Sequence, residues 1–292
     1  MCQNYKQQYD HYLKIIEEYL KNSCFVYDAE PQKQLFDAMR YSLLAGGKRL
    51  RPIMVLAFCH MCGGSYMEAA PFAAAVEMVH TYSLIHDDLP CMDNDDYRRG
   101  RLTNHKVYGE AMAVLAGDAL LTAAFERISD AELPAHARIS AVKVLSNCAG
   151  ELGMVGGQVL DIQSEERQCT KDDVIAIQSR KTGALIRAAC QLGVLAGNGT
   201  EEQLEAAGIF ADHIGLAFQI RDDMLDVIGD PAMLGKATGT DANKNTFVQL
   251  YGIEACADMV ESHTATAINA LCAFQDNVFM IQLAQDLIHR NH

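Results

Sequence analysis

The sequence predicts an all-α fold, a single large helical bundle around a central cavity. Half of the 292 residues are hydrophobic, so the chain can bury a large core. Ala, Leu, Met and Gln recur with helical spacing, whereas segments in which β-branched and polar residues alternate are missing. No Pro- or Ser-rich linker and no repeat of fixed period divides the chain, which predicts one domain over residues 1–292.

Helical periodicity and glycine or proline breaks place the elements in order along the chain. The clearest breaks are GGKRLRP at 46–52, CGGSY at 62–66, ELPAH at 132–136 and GDPAMLG at 229–235. The predicted helices span residues 5–21, 32–45, 51–62, 68–89, 106–129, 134–149, 151–165, 171–196, 201–229 and 262–289. Several of them are apolar on more than one face, which is typical of helices inside a bundle or at a subunit contact. A homodimer is therefore predicted.

Net charge and cysteine usage indicate which partners and which cellular compartment the protein is expected to have. The net charge of −14 argues against nucleic acid as a main partner, because phosphate neutralisation needs clustered Lys and Arg. The ten cysteines are scattered and several lie in apolar helical stretches, which favours reduced thiols and a cytoplasmic location. Cys59 and Cys62 form an isolated CxxC that is interpreted as helix packing. Neither a signal peptide nor a transmembrane span is predicted.

The stretch HDDLPCMDNDDYRRG at 86–100 places five acids before two arginines. Asp87 and Asp88 end an apolar helix, since Pro90 disfavours its continuation. Asp93 lies on the wrong face of a continued helix, so a loop has to return it to Asp87. Carboxylates this close repel one another, and Mg²⁺ together with a substrate phosphate relieves that repulsion. Taken alone, the stretch is equally compatible with a solvated acidic loop.

A second acidic row lies in GLAFQIRDDMLDVI at 215–228. Gln219, Asp222, Asp223 and Asp226 are spaced i, i+3, i+4 and i+7, so they share one face of a helix that is otherwise apolar. A solvated helix face rarely carries three acids among so many apolar residues. Two acidic rows in one helical chain predict two walls of one cavity, bridged by Mg²⁺ and a diphosphate.

Cationic motifs support an anionic ligand. GGKRLRP places Lys48, Arg49 and Arg51 at a glycine-rich turn before a helix, which suits an anion site. The stretch RKTGALIR offers Lys181 and Thr182. Arg98 and Arg99 provide countercharge beside the first acidic row, and Lys236 and Lys244 follow the second.

These motifs together resemble the trans-prenyl diphosphate synthase family, and they closely resemble its bacterial farnesyl diphosphate synthases. The matching stretches run from about 43 to 245 in the expected order: AGGKRLRP, HTYSLIHDDLPCMDNDDYRRG, AGDALL, GGQVLD, KTGALIRAAC, GLAFQIRDDMLDV and LGKATG. The pattern departs from the family at KNTFVQL, where Phe247 and Val248 replace a common Tyr-Pro pair.

The resemblance implies a Mg²⁺-dependent prenyltransferase that condenses dimethylallyl or geranyl diphosphate with isopentenyl diphosphate. About three magnesium ions would act with the bound diphosphate. Direct metal ligands would be Asp87, Asp93 and Asp222, with support from Asp88, Asp223 and Asp226. The allylic diphosphate would be held by Arg98, Lys181, Thr182, Gln219 and Lys236, with Lys244 as a helper. Isopentenyl diphosphate would be held by Lys48, Arg51, His80 and Arg99.

The same resemblance implies a fifteen-carbon product. In the family, an aromatic residue five positions before the first Asp, combined with the two-residue insertion in that motif, goes with farnesyl diphosphate. Tyr82 and Ser83 occupy the positions that set chain length here. Three alternatives remain open: a geranylgeranyl diphosphate synthase, a class I terpene cyclase and a non-catalytic subunit of a prenyl synthase.

Overall fold

The structure is a computed structural model that describes residues 3–27, 29–165, 167–228 and 245–289. Within these ranges the fold is all-α, as predicted, with one two-stranded ribbon of β1 (Tyr97–Arg98) and β2 (Arg101–Leu102). The α-helices are α1 (Gln3–Ser23), α2 (Lys33–Leu43), α3 (Leu50–Met61), α4 (Tyr66–Asp87), α5 (Asn104–Tyr108), α6 (Glu110–Ser129), α7 (Ala135–Ala149), α8 (Met154–Ser164), α9 (Lys171–Gln178), α10 (Ala184–Ala196), α11 (Glu201–Ile228), α12 (Phe247–Tyr251), α13 (Ile253–Ala270) and α14 (Val278–His289).

Two compact units make up the chain. The first comprises residues 1–142 and 195–198, and the second comprises residues 143–194 and 199–292. The single domain expected over residues 1–292 stays a prediction. None of the helices in the described ranges combines the length and the apolar character that crossing a membrane requires.

The first unit is built around α4. This helix packs most extensively against α6 and α3, and also contacts α1 and α2. Its central run from Phe72 to Val79 is buried throughout, including Glu77. A helix that is apolar on all faces is stable in water only when neighbours cover every face, which is what α4 shows. Its C-terminal end therefore follows a fully buried central segment.

The second unit is organised around α11, which packs along α13. A five-residue π-helical turn, Ser179–Gly183, joins α9 to α10 and contacts α8 and α11. Short π-helical segments inside helices are frequent at functional sites. This turn contains Lys181 and Thr182, two of the predicted ligand-binding residues.

Three predicted helices differ from the structure. The helix expected over 106–129 is interrupted at Gly109, whose φ of 86° ends α5 before α6 begins. The helix expected over 171–196 contains the π-helical turn. The helix expected over 262–289 is wrong: α13 begins at Ile253, and α14 starts only after a break in which Asp276 adopts a φ of 52°. Residues 271–277 contain neither Gly nor Pro, so no sequence signal indicates that the helix ends there.

A histidine pair joins the two longest helices of the second unit. The Nδ1 atoms of His213 on α11 and His263 on α13 lie 2.8 Å apart, and both side chains are half-buried. One nitrogen must donate and the other accept, so protonating both rings breaks the contact. Burial, and secondarily the neighbouring His213, lowers the pKa of His263 below its ordinary value.

This lowered pKa predicts an acid-sensitive contribution to stability. The unfolded chain binds a proton at His263 more readily than the native chain, so stability is expected to fall as pH drops through about 6.5, the ordinary histidine value, and below. The thermal midpoint of the wild type should therefore fall more steeply between neutral and mildly acidic pH than that of His263→Gln. His136→Gln, on the exposed surface of α7, is the matched control and should keep the wild-type slope. Parallel slopes for all three proteins would contradict this assignment.

Candidate active site

The first acidic motif lies where α4 ends. The helix stops at Asp87 with Asp88 as its C-terminal cap, as Pro90 predicts. The chain then turns back, and the Asp93 amide donates to the Asp87 carbonyl oxygen at 2.8 Å. This hydrogen bond confirms the predicted return of Asp93 to Asp87. The Asp87 side chain is partly exposed and the Asp93 side chain is exposed, so solvent or a ligand can reach both.

The residues Arg98, Arg99 and Gly100 belong to the turn of the two-stranded ribbon that follows the acidic motif. Arg98 pairs with Arg101 across it, and the two turn residues, Arg99 and Gly100, have φ values of 53° and 73°. Positive φ at both central positions is the signature of a type I′ hairpin, which favours glycine at the second of them. The ribbon was not predicted, although RRG followed by RL carries this turn signal. As a result, the Arg98 and Arg99 side chains contact different parts of the first unit.

Arg98 is paired with Asp88. Its Nη2 and Nε lie 2.5 and 2.6 Å from Asp88 Oδ1, and Nη2 lies 3.2 Å from Asp95. Burial lowers the pKa of Arg98, but the hydrogen bond and charge of Asp88 outweigh it, so the pKa lies above the ordinary arginine value. Residue Asp88 is only 3% exposed. Its contact is therefore with Arg98, which it holds beside Asp87.

A cationic group lies beside this motif in the first unit. Arg51, His80 and Arg99 lie close enough for their charges to interact, and Lys48 belongs to the glycine-rich loop before α3. Burial, and then the positive charges of Arg51 and Arg99, lower the pKa of His80 well below its ordinary value, so its imidazole is neutral near pH 7. The buried Nε of Arg51 has no hydrogen-bond partner in the described chain. A buried donor without a partner is costly, and a bound anion would satisfy it.

The remaining members of this group are more exposed. Arg99 donates to the Gly46 carbonyl oxygen, which ties the hairpin turn to the glycine-rich loop. The Lys48 side chain is exposed, while its carbonyl oxygen accepts a hydrogen bond from the Tyr9 hydroxyl at 2.6 Å. The loop is thus fixed through its backbone, and the lysine side chain extends into solvent.

One arginine of GGKRLRP has a different role from the one that its motif suggested. Arg49 is completely buried and contacts Glu77 at 2.5 Å, Glu17 at 2.7 Å and the Leu43 carbonyl oxygen at 2.7 Å. Its guanidinium therefore faces the protein interior. Glu77 was missed at the sequence level, although it is a single acid inside the apolar run AAAVEMVH. A lone charge in such a run indicates a buried ionic partner.

The chain-length residues lie on α4 before the acidic motif. Tyr82 is 6% exposed, and burial raises the pKa of its hydroxyl to about 12, so the phenol stays neutral. The Ser83 hydroxyl donates to the His80 carbonyl oxygen at 2.9 Å. Their predicted role in setting chain length stays a prediction at this point.

The second acidic row follows the predicted spacing along α11. Gln219 Nε2 lies 3.3 Å from Asp223 Oδ1, and Asp223 Oδ2 accepts from the Phe247 amide at 2.8 Å. Asp223 and Asp226 are buried, whereas Asp222 is partly exposed. Asp223 thus fixes the start of α12 to α11. Phe247 makes this contact through its backbone amide, so the contact does not depend on the Phe247 side chain.

Lys181 and Thr182 lie in the π-helical turn of the second unit. Lys181 Nζ is 2.5 Å from Asp161 Oδ2, and Thr182 Oγ1 is 3.4 Å from Gln219 Oε1. A Cβ atom at Gly157 of α8 would lie 2.3 Å from the Lys181 amide nitrogen. The glycine therefore allows α8 to pack directly against the backbone of the π-helical turn. One pocket of the second unit is lined by Asp161, Lys181, Thr182, Gln219 and Asp223.

The donor chemistry of the acidic residues fits a hard divalent cation. Within the described ranges, no three His, Cys, Asp or Glu side chains are grouped closely enough to hold a metal ion by themselves. Mg²⁺ is commonly held by one or two carboxylates together with substrate phosphate oxygens, so the partly exposed Asp87 and the exposed Asp93 suit it. The predicted meeting of the two acidic rows stays a prediction. Lys236 and Lys244 lie outside the described residues.

Comparisons with known proteins agree on one family. The model of the polyprenyl synthetase family matches residues 32–276. A farnesyl diphosphate synthase of Micrococcus luteus is 45% identical over 272 residues, 91% of this chain and 92% of that protein. Geranylgeranyl pyrophosphate synthase 3 of Arabidopsis thaliana is 48% identical over 82% of this chain and 68% of its own. The crystal structure of an FPP/GFPP synthase from Zymomonas mobilis is 34% identical and superposes with a TM-score of 0.88 over 99% of this chain and 100% of that one.

Proposed function

The chain belongs to the polyprenyl synthetase family, and from this premise we propose that it is a prenyltransferase that makes farnesyl diphosphate. It joins isopentenyl diphosphate to dimethylallyl diphosphate and then to geranyl diphosphate, releasing pyrophosphate each time. The observation that carries the proposal is the cationic group of the first unit, where a buried Arg51 Nε without a partner lies near His80 and Arg99. Such a group suits the diphosphate of a second substrate.

The reaction follows from the charges that the chain provides. Arg98 in the first unit and Lys181 in the second are each assigned the role of stabilising the negative charge that develops on the departing pyrophosphate, so that the allylic carbon–oxygen bond breaks. Lys236 is assigned the same role and lies outside the described residues. Asp87 and Asp93 at the end of α4, and Asp222 on α11, are the residues that would hold Mg²⁺, which would supply positive charge against the diphosphate. The isopentenyl double bond then attacks the allylic cation and forms the new carbon–carbon bond. The proton lost from the adjacent carbon goes to the released pyrophosphate, so no protein base is required.

Lys181 has to change partners for this role. In the structure its ammonium is paired with Asp161 at 2.5 Å, and both side chains are partly exposed. An incoming diphosphate carries more negative charge than one carboxylate and so competes for the lysine. We propose that Asp161 holds Lys181 in place between turnovers.

A substrate-dependence assay tests the proposed activity. Pyrophosphate release is expected only when an allylic diphosphate, isopentenyl diphosphate and Mg²⁺ are all present, and it should stop on addition of a chelator. Release from farnesyl diphosphate alone, with a hydrocarbon product, would instead indicate a terpene cyclase. Absence of turnover under every condition would indicate a non-catalytic subunit.

Tyr82 is the proposed limit on chain length. We expect Tyr82→Ala to shift the main product from fifteen to twenty or more carbons, because removing the buried ring opens space along α4. Product length is measured by chromatography of the dephosphorylated alcohols. Tyr19→Ala, a partly exposed tyrosine on α1, is the matched control and should keep the fifteen-carbon product. If Tyr82→Ala still yields only fifteen carbons, Tyr82 does not limit the chain.

The proposal extends to assembly and location. We propose a cytoplasmic homodimer, supported by apolar side chains on the surface of the first unit. Leu115 on α6 and Ile139 on α7 are 53% and 70% exposed. The proposal predicts that these side chains belong to one contiguous apolar patch at the subunit contact. Sedimentation analysis should give twice the chain mass of 32.1 kDa.

A further inference from the structure

His86 is the residue before the first Asp of the acidic motif, and no step of the proposed reaction uses it. It lies one helical turn after Tyr82 on α4, and the two rings meet edge to face. Their centroids are 5.6 Å apart, with an angle of 81° between the ring planes. Edge-to-face contacts favour one relative orientation of two rings. The position of the Tyr82 ring is therefore coupled to that of the His86 ring.

The imidazole of His86 is fixed from the opposite side by α6. Its Nε2 lies 3.1 Å from the Val114 carbonyl oxygen and 4.0 Å from Asp118 Oδ1. Because a carbonyl oxygen only accepts, the hydrogen bond assigns the proton to Nε2. The ring cannot rotate about its bond to the backbone without losing this hydrogen bond.

Gly117 provides the space that the imidazole occupies. A Cβ atom at this position would lie 2.1 Å from His86 Nε2 and 2.5 Å from its Cδ2. These distances are far below a van der Waals contact, so any side chain at residue 117 would displace the ring. Gly117, His86 and Tyr82 thus form one continuous contact from α6 to the proposed limit on chain length.

We propose that His86 is a positioning residue that determines product length by holding the Tyr82 ring, and that Gly117 is required to admit it. This inference rests on the proposed role of Tyr82. Without the imidazole, the Tyr82 ring loses its neighbour on the α6 side and can swing into the vacated space. The barrier to chain growth then weakens, although Tyr82 itself is still present.

The test measures product length from dimethylallyl diphosphate and excess isopentenyl diphosphate. His86→Ala is expected to raise the ratio of twenty-carbon to fifteen-carbon product by about fivefold, the effect of losing one edge-to-face ring contact. Gly117→Ala should shift product length in the same direction. His11→Ala is the matched control, because His11 makes a similar edge-to-face contact with Tyr66 at 5.4 Å and 89° on another part of the first unit. It should leave the ratio unchanged.

Epistasis with Tyr82 separates this inference from the proposed function. If His86 acts through the ring, His86→Ala combined with Tyr82→Ala should give the same product distribution as Tyr82→Ala alone. Longer product from Tyr82→Ala but unchanged product from both His86→Ala and Gly117→Ala would overturn the inference and leave the proposed function intact. Unchanged product from Tyr82→Ala would remove the premise itself. Should His86→Ala fail to fold, His86→Gln keeps a donor for Val114 but lacks the ring, and unchanged product from it would also overturn the inference.

Discussion

Replacement of Arg98 by alanine is expected to lower kcat by about 10²–10³-fold, the usual cost of removing one charge-stabilising donor from an active site. Arg98 is fixed by Asp88 at 2.5 Å and lies beside Asp87 at the end of α4, where the allylic diphosphate is proposed to bind. Removing it eliminates a positive charge that opposes the charge developing on the departing pyrophosphate. The same change leaves the buried Asp88 without this partner, so some loss of stability should accompany the loss of rate.

The ribbon offers a matched control for this prediction. Arg101 is the cross-strand neighbour of Arg98, but it is exposed and its guanidinium lies 4.3 Å above the Tyr41 ring. Arg101→Ala should therefore keep kcat within about threefold of the wild type, since an exposed ring contact of this kind contributes weakly. Arg98→Lys keeps the charge but loses the planar contact with Asp88, and an intermediate rate is expected. Equal rates for Arg98→Ala and Arg101→Ala would exclude Arg98 from the reaction.

Replacement of Glu77 by glutamine is expected to lower the free energy of unfolding by about 3–5 kcal/mol, the range for breaking a buried ion pair from one side. The Arg49 side chain is fully buried and Glu77 is 3% exposed at its side chain, so water cannot replace the lost charge. Glu17 remains beside Arg49, but it is partly exposed and compensates less. Urea unfolding followed by circular dichroism measures the change.

Glu68 on the same helix is the matched control for Glu77. Its side chain is exposed, so Glu68→Gln should change the free energy of unfolding by less than about 0.5 kcal/mol. A change of similar size in both variants would show that Glu77 is not the counterion of Arg49.

Glu77→Gln should also raise the KM for isopentenyl diphosphate. Glu77 lies one turn before His80 on α4, so the loss of its charge is expected to displace the cationic group.

The helices could be predicted because their signals are local. Apolar periodicity and Gly or Pro breaks place α1 to α4 within a few residues of their observed bounds. The end of α4 at Asp87 follows from Pro90 alone. Elements without such signals were not predicted, as the break near Asp276 shows, since a residue other than glycine adopts the positive φ there.

The sequence identified which residues belong to the candidate site more reliably than it identified what each of them contacts. The sequence identified Asp87, Asp88 and Asp93 as a group, but spacing does not distinguish a carboxylate that faces a ligand from one that holds an arginine. Asp88 turns out to be buried against Arg98. Arg49 was likewise grouped with its neighbours, and only the fold shows that Glu77 draws it inward. Such distinctions depend on residues far apart in the chain, which a motif does not contain.

The most direct test of the proposed activity follows carbon atoms from substrate to product. Geranyl diphosphate is incubated with isopentenyl diphosphate labelled with ¹³C and with Mg²⁺, and the products are identified by mass spectrometry. The predicted result is farnesyl diphosphate that carries a single labelled five-carbon unit, with one pyrophosphate released per molecule. Pyrophosphate release without transfer of the label into a longer diphosphate would contradict the assignment of this chain as a prenyltransferase.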